Sequence, residues 1–551
     1  MHAPDANAGP ARRAGMILLI LAIVLFDGLT QRPGYSWYWD DPGYVLHARN
    51  LAEGRPYADT GYIPNPHNYI APQAYPPGLP LLLHTVVAMF GVDPTALRVL
   101  NLLIHFLMLA VLARLIRDDL PLPHRCVLVG AVGLHPMFWD YLHRMMSDLP
   151  FVLLVFAALL FYRRAGEDGL PSRSRLLFAI AAGAAAWFAI ITRSLGVTLP
   201  ASFLLYDLIS RRRPSRAFVV AAATSVLLFA GQESVSRVYA AMTEARPTPA
   251  DSAEQLTIST EAPAPGPEAG EAPAVEQQVS QKHGYAYLAL YNILGSAERV
   301  PGRVLRNARK YVVYMDHLLG NLHSERVQHI LFVLFVPPFF LGFVVRVRKR
   351  FSAVEVFAVV YFLAILPWSW GGPRLLFPLL PLYFLYVLEG LRRFERRLGA
   401  GAPVMAVAAA VAIGGTYAAK FTVTDRSAFR DPWTGAGAQR LYGFLQENSA
   451  RDDVMIGHFP RQLALFGERS FSAPCRPRTP DEIWWRYMDR IGVRYIVVGP
   501  FLPPPQRPMD LIGELDRFVH RWPERTEKAF ESSEFHVYRV LSPESAPPPE
   551  S

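Results

Sequence analysis

Residues 14–44 read AGMILLILAIVLFDGLTQRPGYSWYWDDPGY, and this stretch indicates both the class of the protein and its best functional lead. It begins with an apolar segment, 14–30, that is long enough to cross a lipid bilayer as a helix. Two adjacent carboxylates, Asp40 and Asp41, follow almost immediately among Trp and Tyr residues. Acidic side chains at this position, beside a predicted membrane surface, suggest a catalytic role rather than anchoring in the membrane.

The composition indicates an integral membrane protein. Of 551 residues, 52% are hydrophobic, 12% are aromatic and only 18% are charged, and the mean hydropathy is +0.18. A soluble chain would carry about 25% charged residues. The apolar residues are concentrated in blocks of roughly 15 to 20, which is the length needed to cross about 30 Å of hydrocarbon.

The net charge of +9 is distributed in short Arg clusters between the apolar blocks. Nucleic-acid-binding proteins have one continuous basic face instead, so we expect no nucleic acid partner. Basic clusters at membrane spacing are typical of cytoplasmic loops. The clusters are Arg12-Arg13, Arg163-Arg164 with Arg173 and Arg175, Arg211-Arg212-Arg213 with Arg216, Arg346 to Arg350, and Arg392-Arg393 with Arg396-Arg397.

Placing every Arg cluster on the cytoplasmic side predicts about eleven transmembrane helices. The first follows a short cytoplasmic N-terminus, 1–13, and lacks the cleavage site of a signal peptide, so Asp40 emerges on the outer face. The apolar stretch 79–90 is too short for a span and would reverse the side of every later cluster, so we expect an interfacial helix there. The predicted spans are 14–30, 95–116, 125–139, 149–163, 176–193, 196–210, 217–232, 327–345, 353–369, 374–390 and 402–419.

Three regions are predicted on the outer face. The first outer loop, 31–94, contains the Asp pair and interfacial helices, including an amphipathic helix over 44–52 that Gly54 terminates. The second region contains a segment, 243–281, that is rich in Pro, Ala and Glu and is expected to be disordered. The third, 421–551, alternates helical and strand-like patterns, which predicts a domain that binds the acceptor or has a structural role.

The predicted fold is therefore mainly α: a polytopic membrane domain over 14–420, followed by an extracytoplasmic α/β domain at the C-terminus. Cys126 and Cys475 are predicted on opposite sides of the membrane, so we expect no disulfide bond.

Several short motifs occur in an order that resembles the C-type glycosyltransferase superfamily. After the acidic pair come Ala-Arg-Asn-Leu-Ala-Glu-Gly at 48–54 and Tyr-Pro-Pro-Gly-Leu-Pro at 75–80. The pattern looks most like the bacterial branch related to protein O-mannosyltransferases, the lipid A aminoarabinose transferase and lipopolysaccharide galacturonosyltransferases. Further matches are Met-Ser-Asp-Leu-Pro at 146–150, Thr-Arg-Ser at 192–194 and Pro-Arg-Leu-Leu-Phe-Pro-Leu-Leu-Pro at 373–381.

The resemblance implies transfer of a sugar from a polyprenyl-phosphate donor to an acceptor hydroxyl on the outer face of the bacterial inner membrane, with inversion. The acceptor would be a glycolipid or a protein, and membrane lipids surround the enzyme. Polyprenyl phosphate is already a reasonable leaving group, so the enzyme must mainly deprotonate the acceptor and stabilise the phosphate charge. A carboxylate supplies the first need and Arg the second.

Residues that match the family motifs are the candidate catalytic and donor-binding groups. Asp40 matches the first acid of the family pair and is the expected general base, whereas Asp41 either orients an acceptor or serves as a turn or cap residue. Asp148 matches the second acidic position and binds an acceptor or a metal, or else Ser147 or Asp148 caps the next helix. Arg193 and Arg374 are expected to bind the donor phosphate, with snorkelling toward lipid headgroups as the alternative.

The candidate substrate-binding residues surround these motifs. Tyr75 stands where the aminoarabinose transferases have a Lys, so a phosphate contact there is in doubt. We assign no metal ligands, although His67 and His84 with Asp148 leave a divalent metal as an open alternative. The full set of substrate-binding candidates is Tyr75, Tyr44, His143, Arg144 and His67.

Other functional classes are a lipid or polysaccharide transporter and a noncatalytic envelope assembly protein. A transporter would place ionisable groups along a path near the membrane midplane. Charged groups are unfavourable at that depth, so they occur there mainly where function requires them. Within the predicted spans such groups are few, mainly His105, Asp207 and Glu355. The polar groups collect instead at the predicted outer ends of spans, which favours a surface active site.

Overall fold

The computed structural model describes residues 10–37, 40–68, 70, 74–243, 300–314, 324–368, 372–397, 404–429, 431–501 and 511–541. The segment predicted to be disordered, 243–281, lies outside the described residues apart from Thr243, and so do the first nine residues of the predicted cytoplasmic N-terminus.

Among the described residues before 430, nearly all regular secondary structure is helical. In this described part of the chain, two short 3-10 helices, Ser194–Val197 and Pro373–Leu379, accompany the α-helices. The α-helices are α1 (Pro10–Leu29), α2 (Asp41–Glu53), α3 (Gly78–Phe90), α4 (Pro94–Leu115), α5 (Leu122–Gly133), α6 (Pro136–Leu142), α7 (Asp148–Ala165), α8 (Ser172–Thr192), α9 (Thr198–Arg211), α10 (Arg216–Thr243), α11 (Val300–Tyr314), α12 (Glu325–Arg350), α13 (Ala353–Ile365), α14 (Leu380–Arg397) and α15 (Val404–Val423).

Six helical segments among the described residues are long and apolar enough to cross a membrane. Four shorter apolar helices accompany them: Ala14–Leu29, Gly78–Phe90, Leu122–Gly133 and Ala353–Ile365. The fold of a polytopic, mainly helical membrane protein is confirmed, while the side on which each loop lies remains a prediction. The six segments are Pro94–Leu115, Ser172–Thr192, Arg216–Tyr239, Glu325–Arg350, Pro373–Arg397 and Val404–Val423.

Each predicted span overlaps a helix, but the segment 125–139 differs from the prediction. It is divided between α5 and α6, with a break at Leu134 and His135. Pro136 explains the break, because it has no backbone N–H to continue the hydrogen-bonding ladder of α5 but fits well at the first position of a new helix. The side chain of His135 caps that new helix by accepting a hydrogen bond from the N–H of Met137 at 3.1 Å.

Helices α7 and α8 form an antiparallel hairpin that defines one end of the bundle. A connection of six residues, 166–171, joins them, and they pack along their length. The first residue of α7 and the residue after α8 therefore lie at the same end of the bundle. The 3-10 helix Pro373–Leu379 packs beside α7, and α3 packs beside α8. Four parts of the sequence that are far apart along the chain thus meet at this end.

The C-terminal part of the chain forms the predicted α/β domain. It contains α16 (Ala436–Asn448), β2 (Val454–Gly457), α17 (Pro460–Gly467), β3 (Ser470–Ser472), α18 (Asp481–Ile491), β4 (Val493–Val498), α19 (Leu511–Arg521), β5 (Thr526–Glu531) and β6 (His536–Val540). With β1 (Tyr62–Ile63), the strand order is β1-β3-β2-β4-β6-β5, in which the first four strands are parallel and β6 is antiparallel to both β4 and β5.

The edge strand β1 (Tyr62–Ile63) comes from the first outer loop, not from the C-terminal domain. It pairs with β3 in the register Tyr62 to Phe471 and Ile63 to Ser472. Beyond the strand, the amide of Asn65 donates to the carbonyl of Ala473 at 2.7 Å. The predicted boundary at residue 421 therefore does not separate the sheet from the rest of the chain.

Helix α2 packs between the bundle and the C-terminal domain. Gly54 ends it, as predicted, with φ +65° and a hydrogen bond from its N–H to the carbonyl of Asn50. Most of its residues are buried, including the polar side chains of His47 and Asn50. The exposed polar face expected of an amphipathic helix is therefore not observed, because α3 covers one side of it and α17 another, while its location at the membrane interface stays a prediction.

Candidate active site

Asp40 lies directly before α2, and its carboxylate faces three side chains from distant parts of the chain. Oδ1 accepts a hydrogen bond from the hydroxyl of Tyr75 at 2.7 Å and lies 3.3 Å from Nη1 of Arg461. Oδ2 lies 3.5 Å from Nη1 of Arg374. The Asp40 side chain is 22% exposed and makes no capping hydrogen bond to α2. We call these four residues the Asp40 cluster.

Tyr75 is held by its backbone as well as by its ring. Its N–H donates to Nε2 of His47 at 3.1 Å, and its carbonyl accepts from the hydroxyl of Tyr57 at 2.8 Å. Burial lowers the pKa of His47 to about 4, so the imidazole is neutral at pH 7 and Nε2 can accept. The ring of Tyr75 packs against that of Tyr44, with centroids 4.5 Å apart.

Two glycines permit the close packing of this region. A Cβ atom on Gly43 would lie only 2.7 Å from Cε2 of Tyr75 and 3.3 Å from Nη1 of Arg461. A Cβ atom on Gly78 would lie 2.7 Å from Cα of Thr192 at the end of α8. Because Gly43 has no side chain, Tyr75 and Arg461 can pack against the start of α2. The same absence at Gly78 lets α3 begin directly against α8.

Arg461 belongs to the first turn of α17 in the C-terminal domain. Its guanidinium donates to the hydroxyl of Tyr75 as well as contacting Asp40, and its side chain is only 8% exposed. Arg461 is not among the candidate residues that the sequence motifs indicate. One signal was available, because a cation in the first turn of a helix opposes the helix dipole and indicates a nearby anion. Which anion it meets depends on how the domain packs.

Arg374 approaches Asp40 from the opposite direction. It is the second residue of the 3-10 helix Pro373–Leu379, directly before α14. Its side chain is 42% exposed, so part of the guanidinium remains open to solvent beside the Asp40 carboxylate. Of the two Arg residues on Asp40, this one is therefore available to a further anion.

The surroundings of Asp40 favour its ionised form. Burial alone raises the pKa of the carboxyl group, but Arg461, Arg374 and the hydrogen bond from Tyr75 outweigh this effect and hold the pKa below its ordinary value. Asp40 is therefore a carboxylate at neutral pH.

Asp41 has a different environment, although it is the next residue. It is 2% exposed, and Oδ2 accepts a hydrogen bond from the hydroxyl of Tyr35 at 2.7 Å. The same hydroxyl accepts a hydrogen bond from the N–H of Met145 at 3.0 Å. Burial raises the pKa of Asp41 to about 7, against the opposing effects of Tyr35 and Arg144. Asp41 is thus enclosed, and it joins the start of α2 to the loop before α7.

Asp148 and Arg193 form a buried ion pair at the end of the α7–α8 hairpin. Their side chains are 1% and 13% exposed, so Arg193 does not extend outward from the protein surface. The alternative in which Ser147 caps α7 is not observed, because its side chain makes no capping hydrogen bond and accepts one from Tyr44 at 3.2 Å. Tyr44 therefore connects this ion pair to the Asp40 cluster through Tyr75.

The remaining candidates have protein partners outside the Asp40 cluster. Nε2 of His143 accepts from the N–H of Arg32 at 3.1 Å, and its Nδ1 bonds the carbonyl of Trp139. Arg144 pairs with Asp140 at 3.0 Å. The structure does not bring them into the Asp40 cluster, and their assignment as substrate-binding residues stays a prediction. They follow α6, whose last turn directs them toward other neighbours even though they are close to Asp148 in sequence.

His67 also lies outside the Asp40 cluster, and its substrate-binding role stays a prediction. Its ring packs against Tyr487 of the C-terminal domain with centroids 5.9 Å apart, because β1 carries this part of the loop onto the sheet. His84 contacts the carbonyl of Leu81 within its own helix.

Among the described residues, no group of three or more His, Cys, Asp or Glu side chains could hold a metal ion, so the side chains considered as ligands do not fit one. Both cysteines are free.

Comparison with known proteins identifies the fold. Residues 74–231, from just before α3 into α10, match a family model described as dolichyl-phosphate-mannose-protein mannosyltransferase. A comparison with curated protein sequences gives no match.

Two solved structures are similar over most of the chain. ArnT from Cupriavidus metallidurans, bound to undecaprenyl phosphate, is 13% identical with a TM-score of 0.54, and the match covers 97% of this chain and 99% of that one. The archaeal oligosaccharyltransferase AglB from Archaeoglobus fulgidus, in complex with an inhibitory peptide and a dolichol-phosphate, is 12% identical with a TM-score of 0.56, and the match covers 89% of this chain and 70% of that one. The chain therefore has the fold of the C-type glycosyltransferase superfamily that its motifs resemble.

Proposed function

We propose that this protein is a membrane glycosyltransferase. It transfers a sugar from a polyprenyl-phosphate donor to a hydroxyl group of a glycolipid or protein acceptor, with inversion at the anomeric carbon. The observation that carries the proposal is the environment of Asp40, a partly exposed carboxylate 3.5 Å from the half-exposed guanidinium of Arg374. A base and a cation side by side are the two groups that the reaction needs.

Three residues of the Asp40 cluster have defined tasks in this reaction. Asp40 accepts the proton of the acceptor hydroxyl while the oxygen forms its bond to the anomeric carbon. The bond between that carbon and the phosphate oxygen breaks, and the electron pair leaves with the phosphate. Arg374 stabilises the departing negative charge through charge-assisted hydrogen bonds. Tyr75 holds the Asp40 carboxylate in position through its 2.7 Å hydrogen bond.

Donor binding makes Asp40 a stronger base. In the protein without a ligand, both Arg374 and Arg461 lower the pKa of Asp40. A donor phosphate that engages Arg374 adds a negative charge near Asp40 and competes for one of its cations. Both effects raise the pKa of Asp40 toward neutrality, so the carboxylate gains basicity when the donor is present.

The two solved relatives support the choice of donor class. One holds undecaprenyl phosphate and the other a dolichol-phosphate. The membrane fold supports a lipid-linked donor as well, because the Asp40 cluster lies between the helical bundle and the C-terminal domain. We place this cluster on the extracytoplasmic face of the plasma membrane, since Arg12 and Arg13 lie in the first turn of α1 and favour a cytoplasmic N-terminus.

The proposal is tested with the full-length protein in lipid nanodiscs. A panel of synthetic undecaprenyl-phosphate sugars is supplied with an envelope glycolipid and protein extract, and transfer is detected by mass spectrometry. The panel includes hexoses, uronic acids and aminopentoses. We expect Asp40→Asn to lower the rate of transfer by about 10²- to 10⁴-fold, which is the usual contribution of a general base.

The matched control for this test is Asp93→Asn. Asp93 is also in the first outer loop, but its side chain caps α4 by accepting from the N–H of Thr95 at 2.8 Å, and Asn caps helices equally well. Transfer by this variant should remain within about twofold of the wild type. Wild-type rates in Asp40→Asn would remove Asp40 from its role, and failure of the wild type to transfer any sugar of the panel would count against the proposed reaction.

A further inference from the structure

We propose that Arg461, supplied by the C-terminal domain, is a positioning residue of the active site that keeps Asp40 and Tyr75 in their reactive arrangement. The inference rests on the proposed function and extends it, because it assigns the C-terminal domain a direct part in the chemistry. Its basis is the geometry of the Asp40 cluster: one guanidinium contacts both the carboxylate of Asp40 and the hydroxyl of Tyr75.

The position of Arg461 is energetically demanding without these partners. Its side chain is 8% exposed, and it lies in the first turn of α17, where a positive charge opposes the helix dipole. Burying a cation is strongly unfavourable unless it is paired, and Asp40 and the Tyr75 oxygen provide this pairing. The rings of Tyr62 and Tyr75 lie 6.0 and 5.6 Å from the guanidinium carbon and contribute further favourable contacts.

The two Arg residues on Asp40 differ in what they can do. Arg374 comes from the bundle and is 42% exposed, so an incoming phosphate can reach it. Arg461 is only 8% exposed and its Nη1 already donates to two oxygens, so an incoming anion has much less access to it than to Arg374. We therefore assign phosphate binding to Arg374, and the fixed orientation and charge of Asp40 to Arg461.

The groups that face the Asp40 carboxylate determine what removal of Arg461 does. They are Tyr75 before α3, Arg374 before α14, Arg461 in α17 and the neighbouring Asp41. Without Arg461, burial still raises the pKa of Asp40, while only Arg374 and Tyr75 lower it. The pKa of Asp40 therefore rises, and the acidic limb of the pH profile moves toward neutral pH.

The test is the pH profile of kcat/KM for Arg461→Gln and Arg461→Lys, measured on the full-length protein with the undecaprenyl-phosphate sugar that the wild type uses. We expect Arg461→Gln to shift the acidic limb upward by about one pH unit, as loss of a close opposite charge does. Arg461→Lys should restore most of this shift, because it retains the charge. Binding of undecaprenyl phosphate should stay within about twofold of the wild type in both variants.

Arg49→Gln is the matched control. Arg49 also joins α2 to the C-terminal domain, through the carbonyl of Leu465 at 3.1 Å and the carboxylate of Glu468 at 3.4 Å, but it does not contact Asp40. Its loss should weaken the contact between the domains and lower the apparent melting temperature without moving the acidic limb. A purely structural role for Arg461 predicts this same behaviour for Arg461→Gln.

A second measurement needs no transferase activity. Infrared difference spectra between the wild type and Asp40→Asn report the protonation of Asp40, and the same titration is repeated in the Arg461→Gln background. An unchanged midpoint overturns the inference and leaves the proposed function intact, whereas a shifted midpoint in a protein without transfer supports the inference and counts against the reaction.

If Arg461→Gln does not fold, Tyr75→Phe is used in its place. This variant keeps the ring but removes the hydroxyl that joins Arg461 to Asp40. The midpoint of Asp40 should then rise as well, and a midpoint identical to that of the wild type contradicts the arrangement that we infer.

Discussion

Asp40 and Asp41 are consecutive residues, but their carboxylates accept hydrogen bonds from different partners. Oδ1 of Asp40 accepts a hydrogen bond from Tyr75, whereas Oδ2 of Asp41 accepts one from Tyr35, and both distances are 2.7 Å. Successive side chains at a helix start point about 100° apart, so neighbours in sequence diverge in space. The pair is therefore divided between an accessible carboxylate and an enclosed one.

The enclosed position of Asp41 predicts an unusual dependence of stability on pH. Its pKa is raised to about 7 in the folded protein, so the folded state binds more protons than the unfolded state between pH 4 and 7. The contribution of Asp41 to stability is therefore present at low pH and is lost as the pH rises through 7. Asp41→Asn removes this loss and can still accept the hydrogen bond from Tyr35.

We expect Asp41→Asn to raise the apparent melting temperature, relative to the wild type, more at pH 8 than at pH 5. Thermal unfolding in detergent or nanodiscs at both pH values checks this. An equal difference at the two pH values would show that Asp41 is ionised throughout.

Because Arg374 is exposed to solvent, its substitution should specifically lower the affinity of the protein for the donor. Arg374→Gln removes a charge-assisted contact to the phosphate, so binding of undecaprenyl phosphate should weaken by about tenfold or more. Arg374→Lys should recover part of the affinity. Isothermal or fluorescence titration with undecaprenyl phosphate measures the effect.

Arg494→Gln is the control for this titration. Arg494 pairs with Asp453 on the surface of the C-terminal domain, away from the Asp40 cluster, so its loss should leave the affinity unchanged. Equal weakening in both variants would indicate nonspecific attraction of the lipid to positive charge.

The ion pair between Asp148 and Arg193 predicts strong coupling between two substitutions. Both side chains are largely buried, so Asp148→Asn leaves an uncompensated cation and should destabilise the protein by about 3–5 kcal/mol. The double variant Asp148→Asn with Arg193→Gln should lose less stability than the sum of the single variants. Apparent melting temperatures of the four proteins provide the cycle, and additive losses would contradict a direct interaction.

The contact between Gly43 and Tyr75 predicts that one methyl group disturbs the site. In Gly43→Ala the new Cβ would lie 2.7 Å from a ring carbon of Tyr75, whose hydroxyl and backbone are already hydrogen-bonded. Overpacking of this kind costs about 1–3 kcal/mol, and the displaced Tyr75 should lower transfer activity by about tenfold.

Gly443→Ala is the corresponding control. Gly443 lies within α16, and a Cβ there would meet no atom within 4 Å. This substitution should stabilise the helix slightly and leave the activity unchanged. Similar losses of activity in both variants would mean that the effect of Gly43→Ala does not arise from Tyr75.

Local patterns in the sequence determined the class of the protein and much of its secondary structure. Apolar blocks indicated the helical bundle, Gly54 marked the end of α2, and the alternation of helical and strand-like patterns over 421–551 indicated the α/β domain. These features depend on residues a few positions apart, which is the range over which periodicity, capping and turn propensity act. The choice of Asp40 as the principal acid also came from sequence, through the motifs that follow it.

Only the tertiary structure decided which groups surround Asp40. Arg461 is 421 positions away along the chain, and Tyr62 and Ile63 form a strand only because β3 offers them an edge. Periodicity shows which face of an element is apolar, but it does not specify which distant surface covers that face. The same limit explains why the sequence motifs did not indicate Arg461. Proximity in sequence does not determine the direction of a side chain, whereas the packing of α2 against α17 brings the buried cation of Arg461 to the carboxylate of Asp40.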